Sequence, residues 1–232
     1  MAEKTALDEA VERQYKGLSF DELNALYDDE KDHISTDYDE WFGDMDLAEV
    51  QKQERKETAE ELERIFRDLL AFVFYLYVEG AYEYAEAMTE AQQQYLALLD
   101  KASQNGVNVS DYYRNIHVPY KVSEVVNTML KHPENPWNFT IDRAMAIAEN
   151  EANSMWNNAD FQEALASGKT RKMWDAIIDG KTRDWHAEAN GQTKPILEPF
   201  EVNGELLQHP MDDSYGATGG NINNCRCAAK YL

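Results

Sequence analysis

The sequence predicts an α+β fold: a long-helix-rich N-terminal part followed by a small α+β C-terminal module. Three observations lead there. From Leu47 to Asp100 the chain has no proline and a single glycine, Gly80. Within that stretch Leu62, Phe66, Leu69, Val73 and Leu76 recur at steps of four, three, four and three, the period of a helix packed on other helices. After Ser167-Gly168 the long periodic runs stop. Seven of the eleven glycines fall in residues 168–232, where Asp179-Gly180, Asn190-Gly191 and Asn203-Gly204 punctuate short segments.

Charge marks the same division. Residues 1–167 hold 14 of the 22 basic and 35 of the 44 acidic side chains, a balance of −21, whereas residues 168–232 hold 8 and 9, a balance of −1. The expected organisation is therefore an acidic helical region over 1–167, with 27–46 a mobile acidic segment, and a module over 168–232 entered through a helix at 140–166. A net charge of −22 disfavours strong non-specific binding to nucleic acid or anionic lipid through the overall field. Two cysteines exclude a disulfide scaffold. The longest apolar run, Leu69–Val78, is half of the roughly 20 residues a membrane helix needs, and the acidic N-terminal residues do not form a leader, so no membrane anchor is expected.

Each element has a local reason. Ser19 followed by Glu22 has the form of a capping box ahead of Leu23, Leu26 and Tyr27. In the acidic run that follows, Asp37 and Asp39 begin like a calcium loop. Trp41 then stands in a ligand slot and Phe42 where glycine is required, so that reading is excluded. The Leu62 stripe continues through Tyr84, Ala87, Ala91, Tyr95 and Leu98, giving one rod of about 80 Å if unbroken or a turn near Gly80. Phe72, Phe74, Tyr75 and Tyr77 exceed what one narrow stripe buries, which marks that helical face as a candidate partner surface, for another protein or a second copy. A short helix is expected over Val122–Leu130. Thr140 then caps a helix to about Leu165 whose buried stripe is Met145, Ala148, Ala152, Met155 and Ala159, with Glu149 and Glu151 read as solvent-exposed. Beyond Gly168 the expectation is a strand over Arg171–Asp179, a helical segment over Thr182–Ala189, extended pieces at Pro195–Val202 and Glu205–Gln208, and a last strand within Cys225–Tyr231.

Phosphate-cradling glycine loops, a nucleophile elbow and an HExxH helix are all missing from the sequence. The reactive side chains gather in the module: Asp179, His186, His209, Asp212, Cys225 and Cys227. Cys225-Arg226-Cys227 closes poorly on itself as a disulfide. Its two sulfurs suit one soft cation, with His186 as third ligand and His209 or an aspartate as fourth, a structural zinc for a small module. Two buried thiols beside a hydrogen-bonded histidine explain the same residues without a cofactor. His186 with Asp179 across a turn is the alternative catalytic pair, that of a nucleic-acid-directed nuclease or transferase.

Taken in order, Lys172-x-Trp174, Asp179-x-x-Thr182-Arg183-x-x-His186, Asn190-Gly191-Gln192, Pro199-Phe200, Asn203-Gly204, His209-Pro210 and Asn224-Cys225-Arg226-Cys227 resemble the phage head morphogenesis family, which includes the Mu F-like minor head proteins. Ile147-Ala148-Glu149-Asn150-Glu151 resembles the helix that leads into that domain, so the likeness covers about residues 140–232. It implies a minor structural protein of a tailed-phage head, assembled in the host cytoplasm and carried in the virion. It further implies association with the portal vertex, portal, capsid or scaffold proteins as partners, and a part in capsid assembly, DNA packaging or genome ejection. No established catalytic residue comes with it.

Overall fold

A computed structural model describes residues 15–29, 37–81 and 83–232. The fold is α+β, as expected: long helices precede a small strand-containing module. The helices are α1 (Phe20–Asp29), α2 (Tyr38–Gly43), α3 (Glu49–Val78), α4 (Ala85–Gln104), α5 (Val118–Lys131) and α6 (Ile141–Ala166). The module carries β1 (Arg171–Asp175), α7 (Asp184–Ala189), β2 (Thr193–Pro195), β3 (Phe200–Val202), β4 (Glu205–Leu207), α8 (Gly219–Ile222) and β5 (Ala228–Tyr231).

Local chemistry sets the helix ends. The capping box at α1 is complete: the Glu22 amide donates to Ser19 Oγ (3.2 Å) and the Ser19 amide donates to the Glu22 carboxylate (2.7 Å). Residues 30–36 of the acidic run lie outside the described residues. From Asp37 onward the acidic side chains of that run are exposed, while Asp37 caps α2 and Tyr38, Phe42 and Met45 are buried. The long rod is broken at Gly80. Its φ of +69° lets the Gly80 amide donate to the Tyr77 carbonyl and the Ala81 amide to the Leu76 carbonyl, the paired bonds of a Schellman end. The chain then reverses, since Lys101 of α4 reaches Glu61 of α3 and the rings of Tyr95 and Phe66 meet edge to face at 6.2 Å.

Helix α6, capped by Thr140 Oγ1 on the Arg143 amide, runs antiparallel to α3: Arg55 meets Asp160 at one end, and at the other Phe74 meets Phe139 in the turn that leads into α6. Phe74 and Tyr77 are part of this core, so half of the aromatic set read as a partner surface is interior packing. Phe72 and Tyr75 remain exposed. Glu149 and Glu151, expected in solvent, are both buried. Burial raises the Glu149 carboxyl to about 8, with the Arg226 charge opposing, so it is held mainly neutral at pH 7.

The module is an antiparallel sheet in the order β2-β1-β5, with Lys172 opposite Lys194 and Tyr231, plus the hairpin β3–β4. Asn203 (φ +51°) and Gly204 (φ +75°) supply the two left-handed residues that a two-residue hairpin requires. The first strand ends at Asp175 rather than Asp179, and the final one begins only at Ala228, leaving Cys225 and Cys227 in the segment before it. Trp174, Phe200, Val202, Leu207, Met211, Cys225 and Cys227 form a core separate from that of the helices.

Candidate metal centre

Three of the reactive side chains singled out in the sequence converge. His186 projects from α7 beside the segment that carries Cys225 and Cys227, and all three are buried. His186 Nδ1 lies 3.5 Å from Cys227 Sγ and 3.7 Å from Cys225 Sγ. The Trp174 ring closes one side, meeting the imidazole edge to face at 5.7 Å. The Cys227 thiol, hydrogen-bonded to Cys225, pulls the Cys225 thiol well below its ordinary value, with His186 assisting and burial opposing; the same bond and burial push Cys227 up.

The remaining candidates lie elsewhere. His209 is not a fourth ligand of this cluster: it is buried against Phe161, with Nε2 on the Asn158 amide (3.0 Å) and Nδ1 at the Pro210 carbonyl (3.0 Å). Asp212 accepts from the Gln208 amide (2.6 Å) and from Ser214. Asp179 does not orient His186. Burial raises it, but its bonds from Arg226, the Lys181 amide and the Thr182 hydroxyl together more than reverse this and hold it at about 2. The acid–base pair read from the sequence is therefore not assembled. Arg226 also reaches Asp44 (3.3 Å), while Arg183 donates to the Asn223 carbonyl (2.6 Å), so both guanidiniums brace loops. Trp174 and Phe200 are core, Pro210 is buried, and Gly191 (φ +78°) turns the chain after α7.

The Cys-x-Cys segment is anchored by asparagines that the sequence reading passed over. Asn153 of α6 donates to the Cys225 carbonyl (2.8 Å), Asn157 to the Cys227 carbonyl (3.1 Å), and Asn150 to Asn224 Oδ1 (3.0 Å). These residues, with Asn158, lie at helical spacing on one face. The signal was available, because asparagine is a poor helix former and four on one stripe need partners.

A second polar cluster, also unread, ties α6 to the module. His117, in a π-helical turn at Tyr113–His117, donates to Glu151 (2.9 Å) and to Asp213 (2.8 Å). Lys121 lies 3.6 Å from Glu151, and Tyr95 donates to it (3.0 Å). Burial would lower His117, but Glu151 and Asp213 more than reverse this and raise it to about 9. Burial likewise opposes the ionised Glu151 and Asp213, yet the His117 charge keeps both below their ordinary values.

The linkage gives a signed prediction. His117 contributes fully below its ordinary value of 6.5, and that contribution disappears as pH rises through about 9. The carboxylates contribute above their ordinary range and lose it as pH falls through their depressed values. Melting temperature against pH should fall between about 6.5 and 9 and level off above that, and the fall should be reduced in His117→Gln. An unchanged fall in that variant would assign it to other groups.

A helical body bonded along one asparagine-rich helix to a small α+β module closed by Cys-x-Cys defines the class. A model of the family described as phage Mu protein F like protein matches residues 47–230. The chain belongs to this family, and so to the phage head-morphogenesis proteins whose order of residues its C-terminal part resembles. The match starts at Leu47, so the body formed by α3 to α6 is part of the family pattern, well beyond the 140–232 covered by the residue likeness. No curated protein and no solved structure gives a significant match. Among the described residues no helix is long and apolar enough to cross a membrane.

Proposed function

We propose that this chain is a minor component of the tailed-phage head that docks at the portal vertex through its acidic helical body and acts in capsid assembly, DNA packaging or genome ejection. The observation that carries this reading is an exposed stripe along α3 and the residue that caps its C-terminus. Asp68, Phe72, Tyr75 and Glu79 succeed one another at steps of four, three and four, all exposed, so two aromatics sit between two acids. Such a face suits a partner that offers apolar pockets within a basic rim. Family membership supplies the setting, a phage head built of protein partners. The balance of −21 over residues 1–167 keeps this body from adhering to packaged DNA.

The test is native mass spectrometry of the full chain co-expressed with the portal protein of its own phage. A discrete complex with a fixed number of chains per ring is the expected result. Phe72→Glu combined with Tyr75→Lys should abolish it while leaving the melting temperature within a few degrees, because both side chains are exposed. A chain that stays monomeric beside intact portal rings would overturn the portal assignment and redirect the search to shell and scaffold proteins.

A further inference from the structure

We propose that His186, Cys225 and Cys227 bind one zinc ion that staples α7 to the segment entering β5, with a water as fourth ligand. This goes beyond the docking role and does not depend on it. The geometry is the first argument. Zinc bonds of about 2.3 Å to sulfur and 2.0–2.1 Å to nitrogen, at tetrahedral angles, set a sulfur–nitrogen edge of roughly 3.6 Å. The two edges here are 3.5 and 3.7 Å, and the three ligand atoms all lie within 4.8 Å of one another. The ion therefore fits with little movement of the side chains.

Charge is the second argument. Binding converts both thiols to thiolates and releases their protons to solvent. Two thiolates and a neutral imidazole exactly balance the ion, so a fully buried site carries no net charge, which is the condition for placing an ion in an apolar core.

The fourth position is decided by space. His186 and Cys227 border a cleft of about 20 Å³ whose other walls include Ile177, Thr182, Arg183 and Arg226. That volume accommodates one water, for which about 10–15 Å³ suffices, and is far below the several hundred cubic ångströms of a substrate pocket. In this proposal the ion acts as a staple, beside a cleft that holds one water. The module has reason to need one, since its core rests on few large side chains, chiefly Trp174, Phe200, Leu207 and Met211.

The experiment uses the full chain purified under reducing conditions, loaded with zinc and freed of excess by gel filtration. Native mass spectrometry should show one zinc per chain. Cobalt loaded in its place should give the intense near-ultraviolet charge-transfer bands of thiolate ligation. Cys225→Ser and Cys227→Ser should each lose the ion, whereas His209→Gln should keep it. Should the cysteine variants fail to fold, the cobalt spectrum of the unaltered chain decides alone. A chain that takes up neither metal while both thiols stay alkylatable would overturn the proposal. So would a bound metal whose cobalt spectrum lacks thiolate bands.

Discussion

Glu151→Ala is expected to destabilise the protein by about 3–5 kcal/mol, the usual cost of leaving a buried cation without its partner. Glu151 is almost fully buried and serves three groups at once: His117, Lys121 and the Tyr95 hydroxyl. Removing its carboxylate strands two cations of unequal fortune. Lys121 keeps Glu124 at 2.8 Å, toward the surface, whereas His117 keeps only Asp213. His117 then loses its strongest opposing charge, and burial lowers its pKa toward or below the ordinary value. Two readouts follow. The midpoint of urea unfolding falls, and the loss of stability between pH 6.5 and 9 shrinks as its upper edge retreats toward 6.5. Glu151→Gln retains an acceptor for Tyr95 but no charge, so it should show the pH shift in full with a smaller loss of stability. A Glu151→Ala protein that unfolds within about 1 kcal/mol of the unaltered chain would mean that the cluster is only geometrically, not energetically, coupled.

The reading of this cluster shows where sequence reasoning stops. Local signals were legible: the Ser19–Glu22 box, the Thr140 cap, the Asn203-Gly204 hairpin and the α3 stripe all act within a few residues of themselves. Glu151 was not legible, because it lies beside the apolar stripe of α6 and its partners come from α4, α5 and the π-helical turn that carries His117, remote in sequence. A carboxylate on a helix is solvated unless something charged covers it, and nothing local announces the cover. The Cys225–Cys227 pair with His186 was legible because soft ligands are rare and cluster in sequence. His209 and Asp179 were drawn in by residue type alone. Asn158 and Arg226, at distances only the tertiary fold fixes, hold them elsewhere. The acidic segment from Asp37 was legible in its charges, which are exposed, but not in Tyr38, Phe42 and Met45, whose burial beneath them depends on the tertiary fold.

Arg55→Ala is expected to cost about 2–4 kcal/mol, combining a lost buried ion pair with the cavity left by a large side chain. Arg55 sits in the α3–α6 interface with no exposed surface, bonded to Asp160 (2.9 Å), to Asn153 Oδ1 (3.3 Å) and to the Gln51 carbonyl (3.4 Å), its guanidinium 5.7 Å from the Trp156 ring centroid. The Asp160 side chain retains 27% of its exposure and can recover water, which places the expected loss below that of a fully enclosed pair. The larger consequence runs through Asn153. With Oδ1 held by Arg55, its amide is aimed at the Cys225 carbonyl, so one residue joins the helical core to the Cys-x-Cys segment. Arg55→Met refills the volume without the charge and should recover part of the stability. It should not restore the orientation of Asn153, so hydrogen exchange in the segment around Cys225 should stay accelerated in both variants. The Asp160→Asn double-mutant cycle with Arg55→Met isolates the charge component, expected at about 1–3 kcal/mol. If that coupling is near zero while exchange around Cys225 is unaffected, Arg55 is a space-filling side chain, and the link between body and module passes through Asn157 and the His117 cluster instead.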